Sequence, residues 1–272
     1  MITVGIDVGM ENVRAVVLKE EKIIGRGKGI SGGAKRAASA QAVMESALKE
    51  AGLTRADVDK VYATGKGKFD LAFNDDYVTE PIAAAKAARF LCPDASTAVD
   101  AGADETIVVT LGQKKPILEL ALNEKCAAGV GIFLKAIARR LGLSMEEMGA
   151  LPPKAAGGPA VNDGCIVFAE LDALSLLNAG TSIKEVGSAA IDAAAVRVCM
   201  TMNDITIPAT DCVVLFGGLA GNKAFVSALQ GYAGIDFVIP AEAEYAGALG
   251  AALVAADWGG SPFFAENGGN RP

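Results

Sequence analysis

Histidine is absent from the 272-residue sequence. This absence excludes the Ser–His–Asp and Cys–His arrangements of nucleophilic catalysis, histidine general bases and His-ligated metal sites. Any metal bound by the protein must therefore be held by sulfur or carboxylate ligands. Aromatic residues make up only 6% of the chain, which favours closely packed α/β layers over an aromatic-rich β-sandwich.

Basic character and membrane signals are also scarce. The formal net charge is −7, which gives no basic footprint for nucleic acid. The segment Met1–Gly9 lacks the basic and apolar parts of a signal peptide, and no apolar run reaches the ~20 residues of a membrane span. We therefore expect a cytoplasmic protein with neither nucleic acid nor membrane as a partner. In that compartment the five cysteines are expected to be reduced.

Strand and helix patterns occur in two similar series. The first predicts strands 2–8, 12–18 and 22–29, helix 37–51, strand 58–64 and helix 80–91. The second predicts strands 97–100, 105–111 and 116–122, helices 130–141, 167–178 and 183–201, strand 212–216, and helices 221–231 and 245–256. Each series opens with a strand, an Asp-x-Gly turn and a hairpin strand, which indicates a duplicated unit.

An aspartate closes the first strand of each series and is followed by a glycine, in Asp7-Val-Gly9 and Asp100-Ala-Gly102. Glycine allows a tight turn and lets a phosphate approach backbone amides, while the carboxylate can hold Mg²⁺ through water. One such motif is weak, because an ordinary hairpin turn explains most instances. A third turn, Gly217-Gly218 after a buried strand, can pass its backbone beside an adenosine.

Together the three turns resemble the actin/Hsp70/sugar-kinase superfamily, in which two lobes clamp ATP. The resemblance implies an α/β fold with duplicated RNase H-like lobes. One lobe is expected to span 1–88 plus 244–260 and the other 89–243, with 261–272 as a flexible tail. Other glycine motifs fit less well, since the chain has no Gly-x4-Gly-Lys-Ser/Thr loop and Gly65-Lys-Gly67 is too short for a dinucleotide fingerprint.

Two cysteines, Cys126 and Cys165, precede predicted helices, where the helix dipole and unpaired amides favour a thiolate or an anionic cluster. Cys92, Cys199 and Cys212 lack this setting, and a small buried hydrophobe is the better interpretation for them. From spacing alone, inert core cysteines explain Cys126 and Cys165 more readily. Because a cubane cluster takes four thiolates, one chain could supply half a site and a twofold partner the rest.

Longer segments resemble the BadF/BadG/BcrA/BcrD ATPase family, which comprises the activator of 2-hydroxyacyl-CoA dehydratase and the ATP-binding subunits of benzoyl-CoA reductase. The segments are Gly5–Gly9, Asn123–Gly131, Cys165–Glu170 and Tyr245–Ala252. The second and third are specific to this family and favour cluster ligands over inert thiols. Finer details, such as Met145–Leu151, look closest to the D-type subunit of benzoyl-CoA reductase.

The resemblance implies a dimer that shares one [4Fe–4S] cluster, with two cysteines from each subunit. ATP hydrolysis would change the lobe angle and move the helices that carry the cluster. A low-potential electron would then pass from a donor such as ferredoxin to a partner reductase or dehydratase. The site residues that it implies are Asp7, Asp100 and Asp104 for catalysis with Mg²⁺, Gly9, Gly102, Gly217, Gly218 and Asn222 for the nucleotide, and Cys126 and Cys165 for the cluster.

The first loop departs from the family pattern. Met10-Glu11 stands where a Ser or Thr is usual, and Arg14 stands in place of a Lys. The second loop, 100–105, lacks the family's second glycine and a common glutamine. A paired homologous subunit could therefore carry more of the hydrolysis.

The leading prediction is an ATP-binding, iron–sulfur electron-transfer subunit of benzoyl-CoA reductase, an oxidoreductase of anaerobic aromatic degradation. Its expected partners are a homologous ATPase subunit, in a homo- or heterodimer, and acyl-CoA-reducing subunits. The first alternative is the homodimeric activator of a 2-hydroxyacyl-CoA dehydratase. Others are a small-molecule kinase of the same fold and a nucleotide-binding subunit without turnover.

Overall fold

The computed structural model describes residues 1–112, 115–123, 129–207 and 212–257. The chain forms two compact units. Unit 1 consists of Met1–Leu91, Gly112–Leu118 and the chain from Tyr245, and unit 2 of Cys92–Leu111 and Glu119–Glu244. The tail predicted at 261–272 lies outside the described residues. Within the described ranges, no helix combines the length and hydropathy that a membrane span requires.

The helices and strands follow in chain order. They are β1 (Ile2–Val8), β2 (Asn12–Lys19), β3 (Lys22–Ile30), α1 (Arg36–Glu50), β4 (Lys60–Thr64), β5 (Asp76–Tyr77), α2 (Glu80–Leu91), β6 (Thr97–Ala101), β7 (Thr106–Thr110), β8 (Glu119–Leu122), α3 (Val130–Leu141), α4 (Met145–Gly149), α5 (Ile166–Asn178), α6 (Ile183–Met202), β9 (Val213–Phe216), α7 (Lys223–Ala233), β10 (Phe237–Val238) and α8 (Ala246–Ala255).

The two units repeat one sheet topology. The strand order is β3-β2-β1-β4-β5 in unit 1 and β8-β7-β6-β9-β10 in unit 2. In each sheet the first three strands form an antiparallel meander, and the fourth strand pairs in parallel with the first. The fifth strand pairs in parallel with the fourth. The duplicated α/β architecture predicted from the sequence is therefore confirmed.

The two faces of β1 have different neighbours. Val4, Ile6 and Val8 are buried in a cluster with apolar residues of α1. The alternate residues face α8, since Thr3 Oγ1 donates a hydrogen bond to the Ala252 carbonyl at 2.9 Å. Because side chains alternate along a strand, Asp7 lies on the α8 face. Burial of each large aliphatic side chain contributes about 1.5–3 kcal/mol. This packing fixes β1 and, with it, the position of Asp7.

In unit 2, α6 is the central helix. It is buried along most of its length and contacts α3, α5, α7 and β7. A capping box starts it, since Ser182 Oγ accepts a hydrogen bond from the Glu185 amide and the Glu185 carboxylate accepts one from the Ser182 amide. Residues on different turns of α6 can therefore reach several elements of this unit.

Some element boundaries differ from the sequence prediction. Helix α4 was not predicted, although Ser144 and Glu147 form a capping box at its start. Helix α7 begins at Lys223 rather than 221, because the Asn222 side chain accepts a hydrogen bond from the Phe225 amide at 2.9 Å and caps the helix. Strand β8 begins at Glu119, later than the predicted 116.

Candidate functional site

Asp7, at the end of β1, lies between two glycines of unit 1. A Cβ atom placed on Gly65 would be 2.5 Å from Asp7 Oδ1, and one placed on Gly247 would be 3.1 Å from Asp7 Oδ2. Gly65 also has a φ of +86°, which side-chain-bearing residues rarely adopt. The carboxyl group thus occupies a cradle that a side chain at Gly65 would fill.

Charged side chains surround this cradle, and we call them the Asp7 cluster: Asp7, Arg14, Lys68 and Glu80. Arg14 lies opposite Asp7 on β2. Lys68 Nζ lies 3.1 Å from Glu80 Oε2 and donates a hydrogen bond to the Gly65 carbonyl at 3.2 Å. Burial raises the pKa of Asp7 and Glu80 raises it further, whereas Arg14 and Lys68 lower it. A bound cation would favour the ionised form of Asp7. Carboxylate oxygens are the ligands that Mg²⁺ prefers, so the carboxylates of this cluster fit that ion.

Lys68 and Glu80 were missed by the sequence analysis. The parallel pairing of β4 with β1 places Thr64 beside Asp7, and so brings the loop after β4 to this carboxylate. Spacing along the chain does not reveal such a juxtaposition. Two sequence features could have pointed to these residues. One is Gly65, which was set aside because Gly65-Lys-Gly67 is too short for a dinucleotide fingerprint. The other is Glu80, which precedes Pro81 at the start of α2.

The second loop, in unit 2, has the same construction. Asp100 lies next to the end of β6 and beside Gly217, where an added Cβ atom would overlap Asp100 Oδ1 and the Ala101 carbonyl. The φ of Gly217 is +91°. Gly102 N donates a hydrogen bond to the Glu105 carbonyl at 3.1 Å, matching the bond from Gly9 N to the Asn12 carbonyl at 3.0 Å in unit 1. The sequence duplication therefore extends to the details of both turns.

The second loop is joined directly to the start of α3. Gly131 N donates a hydrogen bond to the Gly102 carbonyl at 3.2 Å. A Cβ atom on Gly129 would overlap the backbone of Asp104, so the two segments touch through their main chains. Cys126 precedes α3 in sequence but lies outside the described residues. The loop that carries Asp100 and Asp104 thus contacts the helix that follows the Cys126 segment.

The predicted adenosine turn lies at the end of β9. Gly217 N donates a hydrogen bond to the Ala243 carbonyl at 3.1 Å, and Gly218 is exposed. Asn222 is buried, and both ends of its side-chain amide contact the protein. Its Oδ1 caps α7, and its Nδ2 lies 3.5 Å from the Met145 carbonyl. Its contact with a nucleoside stays a prediction.

Cys165 is the N-cap residue of α5 and is partly exposed. Asn162 Oδ1 accepts hydrogen bonds from the amides of Gly164, at 3.0 Å, and Cys165, at 2.7 Å. The first turns of α5 expose the apolar side chains of Val167, Phe168 and Leu171. Across the described ranges, no group of three or more Cys, Asp or Glu residues could hold a metal ion. Cys165 beside an exposed apolar surface could supply one of the four sulfur ligands of a cluster, with the others coming from outside the described residues.

The other three described cysteines differ from Cys165. Cys199 lies within α6, and burial raises the pKa of its thiol to about 11, which makes it unreactive. Cys92 Sγ and Cys212 Sγ lie 3.4 Å apart as thiols. All three are intermediate in exposure, as Cys165 is, so the small buried hydrophobe expected for each of them is only partly buried.

Duplicated α/β units, each with an Asp-x-Gly turn against a left-handed glycine, define an ATPase of the actin-like fold. The chain belongs to the BadF/BadG/BcrA/BcrD ATPase family, whose model matches residues 4–255. Family members are ATPases, and the predicted family membership is confirmed.

Two relatives illustrate the range of the family. The activator of lactoyl-CoA dehydratase from Anaerotignum propionicum is 33% identical over 261 residues, which cover 94% of this chain and 97% of that protein. The D-type subunit of benzoyl-CoA reductase from Thauera aromatica is 31% identical over 274 residues, which cover 95% of this chain and 93% of that protein. Both kinds of relative match at nearly the same level.

Solved structures agree with these matches. The activator of 2-hydroxyisocaproyl-CoA dehydratase from Clostridium difficile, with bound ADPNP, superimposes with a TM-score of 0.84 at 28% identity, covering 94% of this chain and 95% of that chain. A glucokinase of the ROK family from Streptomyces griseus gives a TM-score of 0.57 at 14% identity, covering 93% of this chain and 99% of that chain. The second likeness shows the fold alone, and it confirms the predicted sugar-kinase-like architecture.

Proposed function

We propose that the protein is an ATP-dependent electron-transfer component that serves an acyl-CoA-transforming partner enzyme. The observation that carries the proposal is the direct main-chain contact between the second phosphate loop and the start of α3. A change in the loop that accompanies nucleotide turnover would displace the helix that follows the Cys126 segment. Family membership supports the ATPase part of this function.

The proposed nucleotide roles follow from the two cradles. Asp7, Asp100 and Asp104 would hold Mg²⁺ through water, and the backbone at Gly9 and Gly102 would approach the phosphates. Gly217, Gly218 and Asn222 are assigned to the nucleoside. The bound ADPNP of the activator structure from C. difficile supports nucleotide binding by this fold.

The Asp7 cluster supplies charges suited to hydrolysis. Lys68 would neutralise phosphate charge, and Glu80, held by Lys68, would orient the attacking water and accept its proton. Arg14 places a cation beside Asp7, as the usual Lys would. The departure at Arg14 therefore preserves the local charge, while Met10-Glu11 remains the least regular part of the loop.

Cys165 and Cys126 are assigned to a [4Fe–4S] cluster that two subunits share. When bound, such a cluster supplies a one-electron carrier whose potential depends on hydrogen bonds, charge and solvent exclusion. Cys165 and the exposed apolar side of α5 would face the second ATPase-family subunit, because one chain provides at most half of the thiolates. A donor such as ferredoxin would supply the electron.

Two candidate functions fit the proposal, and they differ in the enzyme that accepts the electron. We place the D-type subunit of benzoyl-CoA reductase first, on the segments noted in the sequence. The homodimeric activator of a 2-hydroxyacyl-CoA dehydratase is the second candidate, because relatives of that kind match equally well, at 33% against 31% identity. The two share their chemistry and differ in the partner that receives the electron.

Anaerobic purification tests the proposal. The chain is produced alone and with the products of its neighbouring genes, and iron content, electron paramagnetic resonance and ATPase activity are measured. A homodimer that holds a cluster without another gene product supports the activator. A cluster that forms only with a homologous subunit supports the reductase. Iron-free preparations in both cases contradict the proposal.

The same samples address the remaining alternatives. A small-molecule kinase should keep its phosphoryl-transfer activity when Cys126 is replaced by Ser, whereas the proposed electron-transfer component should lose its cluster. A nucleotide-binding subunit without turnover should show no ATPase activity, either alone or in the complex.

A further inference from the structure

Arg197 of α6 holds the chain just before Cys165. The residue is only 7% exposed, and its Nη1 donates hydrogen bonds to the carbonyls of Asp163, at 2.8 Å, and Gly164, at 3.0 Å. These are the two residues that precede Cys165. A buried guanidinium is costly unless it gains hydrogen bonds, and the two bonds from Nη1 offset part of that cost by holding the side chain against the loop.

Asn162 holds the same two peptide groups from their donor side. Its Oδ1 accepts the amides of Gly164 and Cys165. The peptide units between 163 and 164 and between 164 and 165 are thus bonded at both the N–H and the C=O. Two side chains from different positions fix both peptide planes that lead to Cys165.

The guanidinium of Arg197 also contacts α3. Its Cζ lies 4.7 Å from the centroid of the Phe133 ring, and Phe133 is fully buried. A planar guanidinium can stack on a ring and donate in its own plane at the same time, whereas a lysine ammonium cannot do both. Arg197 therefore joins the helix after the Cys126 segment to the loop before Cys165.

We propose that Arg197 is a positioning residue that fixes the Cys165 loop to α3, so that a displacement of α3 reaches Cys165. The inference rests on the proposed function, because it takes Cys165 as a cluster ligand. Since the start of α3 is bonded to the second phosphate loop, Arg197 completes a continuous path from that loop to the thiol. A fixed cation and fixed amides next to a ligand also set the potential of a bound cluster.

The test compares Arg197→Lys and Arg197→Met with Arg140→Lys. Arg140 of α3 forms an ion pair with Glu170 of α5, with Nε and Oε1 3.3 Å apart, but its side chain is 52% exposed. This pair also links α3 to α5, and exposed pairs of this kind contribute little. It is therefore a matched control for replacing an arginine that contacts α5 by lysine, with the charge kept.

Hydrogen exchange of the Gly164 and Cys165 amides is measured first, on the full chain without iron. We expect exchange to accelerate at least tenfold in Arg197→Lys, with far-UV circular dichroism unchanged, and to stay within twofold in Arg140→Lys. Unchanged exchange in Arg197→Lys would overturn the proposal. Should Arg197→Met fail to fold, the lysine variant retains the charge and keeps the comparison decisive.

The second readout uses the iron-loaded dimer. Redox titration with ADP and with ATP should give a nucleotide-dependent shift of the midpoint potential in the wild type and in Arg140→Lys. The shift should shrink at least twofold in Arg197→Lys, and a full shift in that variant contradicts the coupling. A wild-type chain without iron would instead contradict the proposed function, and the exchange experiment would still decide whether Arg197 fixes the loop.

Discussion

Gly65 and Gly217 occupy equivalent positions in the two units. Each follows the strand that pairs in parallel with an aspartate-bearing strand, and their φ angles are +86° and +91°. Each lies so close to an aspartate Oδ1, of Asp7 or Asp100, that a β-carbon would collide with it. The duplication has therefore preserved a contact between distant parts of the sequence as well as a strand order.

Gly65→Ala is expected to damage the first cradle. The left-handed backbone costs about 1–3 kcal/mol for a residue with a side chain, and the added methyl group also displaces Asp7. Gly52→Ala is the control, because Gly52 has a φ of +68° and no atom near its added β-carbon. Both variants should lower the melting temperature, but only Gly65→Ala should weaken MgATP binding, by at least about tenfold. Equal affinity for MgATP in the two variants, measured by calorimetry, would contradict the role of the cradle.

Asp7→Asn should separate stability from nucleotide binding. Burial raises the pKa of Asp7 in the folded chain, so its stabilising contribution is full below the unfolded pKa and is lost as the pH rises through the folded pKa. Without nucleotide, thermal unfolding between about pH 4 and pH 8 should show the wild type losing stability relative to Asp7→Asn as the pH rises. The variant should also bind MgATP more weakly. A variant less stable than the wild type at the upper end of this range would contradict the burial argument.

Glu80→Gln should lower ATP turnover with little effect on nucleotide affinity. The amide keeps the shape but cannot accept a proton from water, and positioned acid–base groups contribute about 10²–10⁴-fold to a rate. Steady-state kinetics of the ATPase provide the measurement. Lys66→Ala is the control, because Lys66 lies farther from Glu80, at 4.0 Å, and is more exposed than Lys68. An unchanged turnover number in Glu80→Gln would exclude a role for Glu80 in ATP hydrolysis.

Cys165→Ser should abolish cluster binding. A serine oxygen is a harder and far less acidic ligand than a thiolate, so we expect iron per dimer to fall to near background. Cys199→Ser is the matched control, since this thiol lies partly buried within α6, where burial raises its pKa to about 11. Cys126→Ser should behave like Cys165→Ser. Iron content and the visible spectrum check the prediction, and full iron in Cys165→Ser would refute it.

The exposed apolar side of α5 yields a prediction about assembly. Phe168 is 58% exposed close to Cys165, and a charge there should weaken subunit association at least about tenfold. Analytical ultracentrifugation of Phe168→Glu measures this effect. Ile30→Glu is the control, because Ile30 is 78% exposed on unit 1, away from α5 in the chain. Equal dimer stability in both variants would exclude this surface.

Local patterns allowed much of the fold to be predicted. The bounds of β1, α2 and α3 match the prediction, because apolar periodicity, Pro81 near the start of α2 and Gly142 after α3 mark them within a few residues. The strands β5 and β10 were missed, since two residues paired at a sheet edge leave no periodic signal.

The candidate site was only partly predictable. Asp7 and Asp100 follow from strand ends and glycine turns, which are local features. Lys68 and Glu80 come to Asp7 through the parallel pairing of β4 with β1, and Arg197 reaches Cys165 from another helix. These contacts depend on tertiary packing, which no spacing in the sequence encodes. Gly25 and Gly27 show the same limit, since a β-carbon on either would overlap the backbone of α1, and their absence of side chains allows α1 to pack closely on β3.

The joint between the loop at residues 100–105 and α3 has a mechanical consequence for the proposed function. Its atoms belong to the main chain at Gly102, Asp104, Gly129 and Gly131, with no side chain interposed. A main-chain contact has no side-chain rotamers that could absorb a small displacement. The displacement of one segment is therefore passed on to the other. Sub-ångström adjustments around a phosphate would then tilt the whole of α3, and the length of the helix would amplify them at its far end.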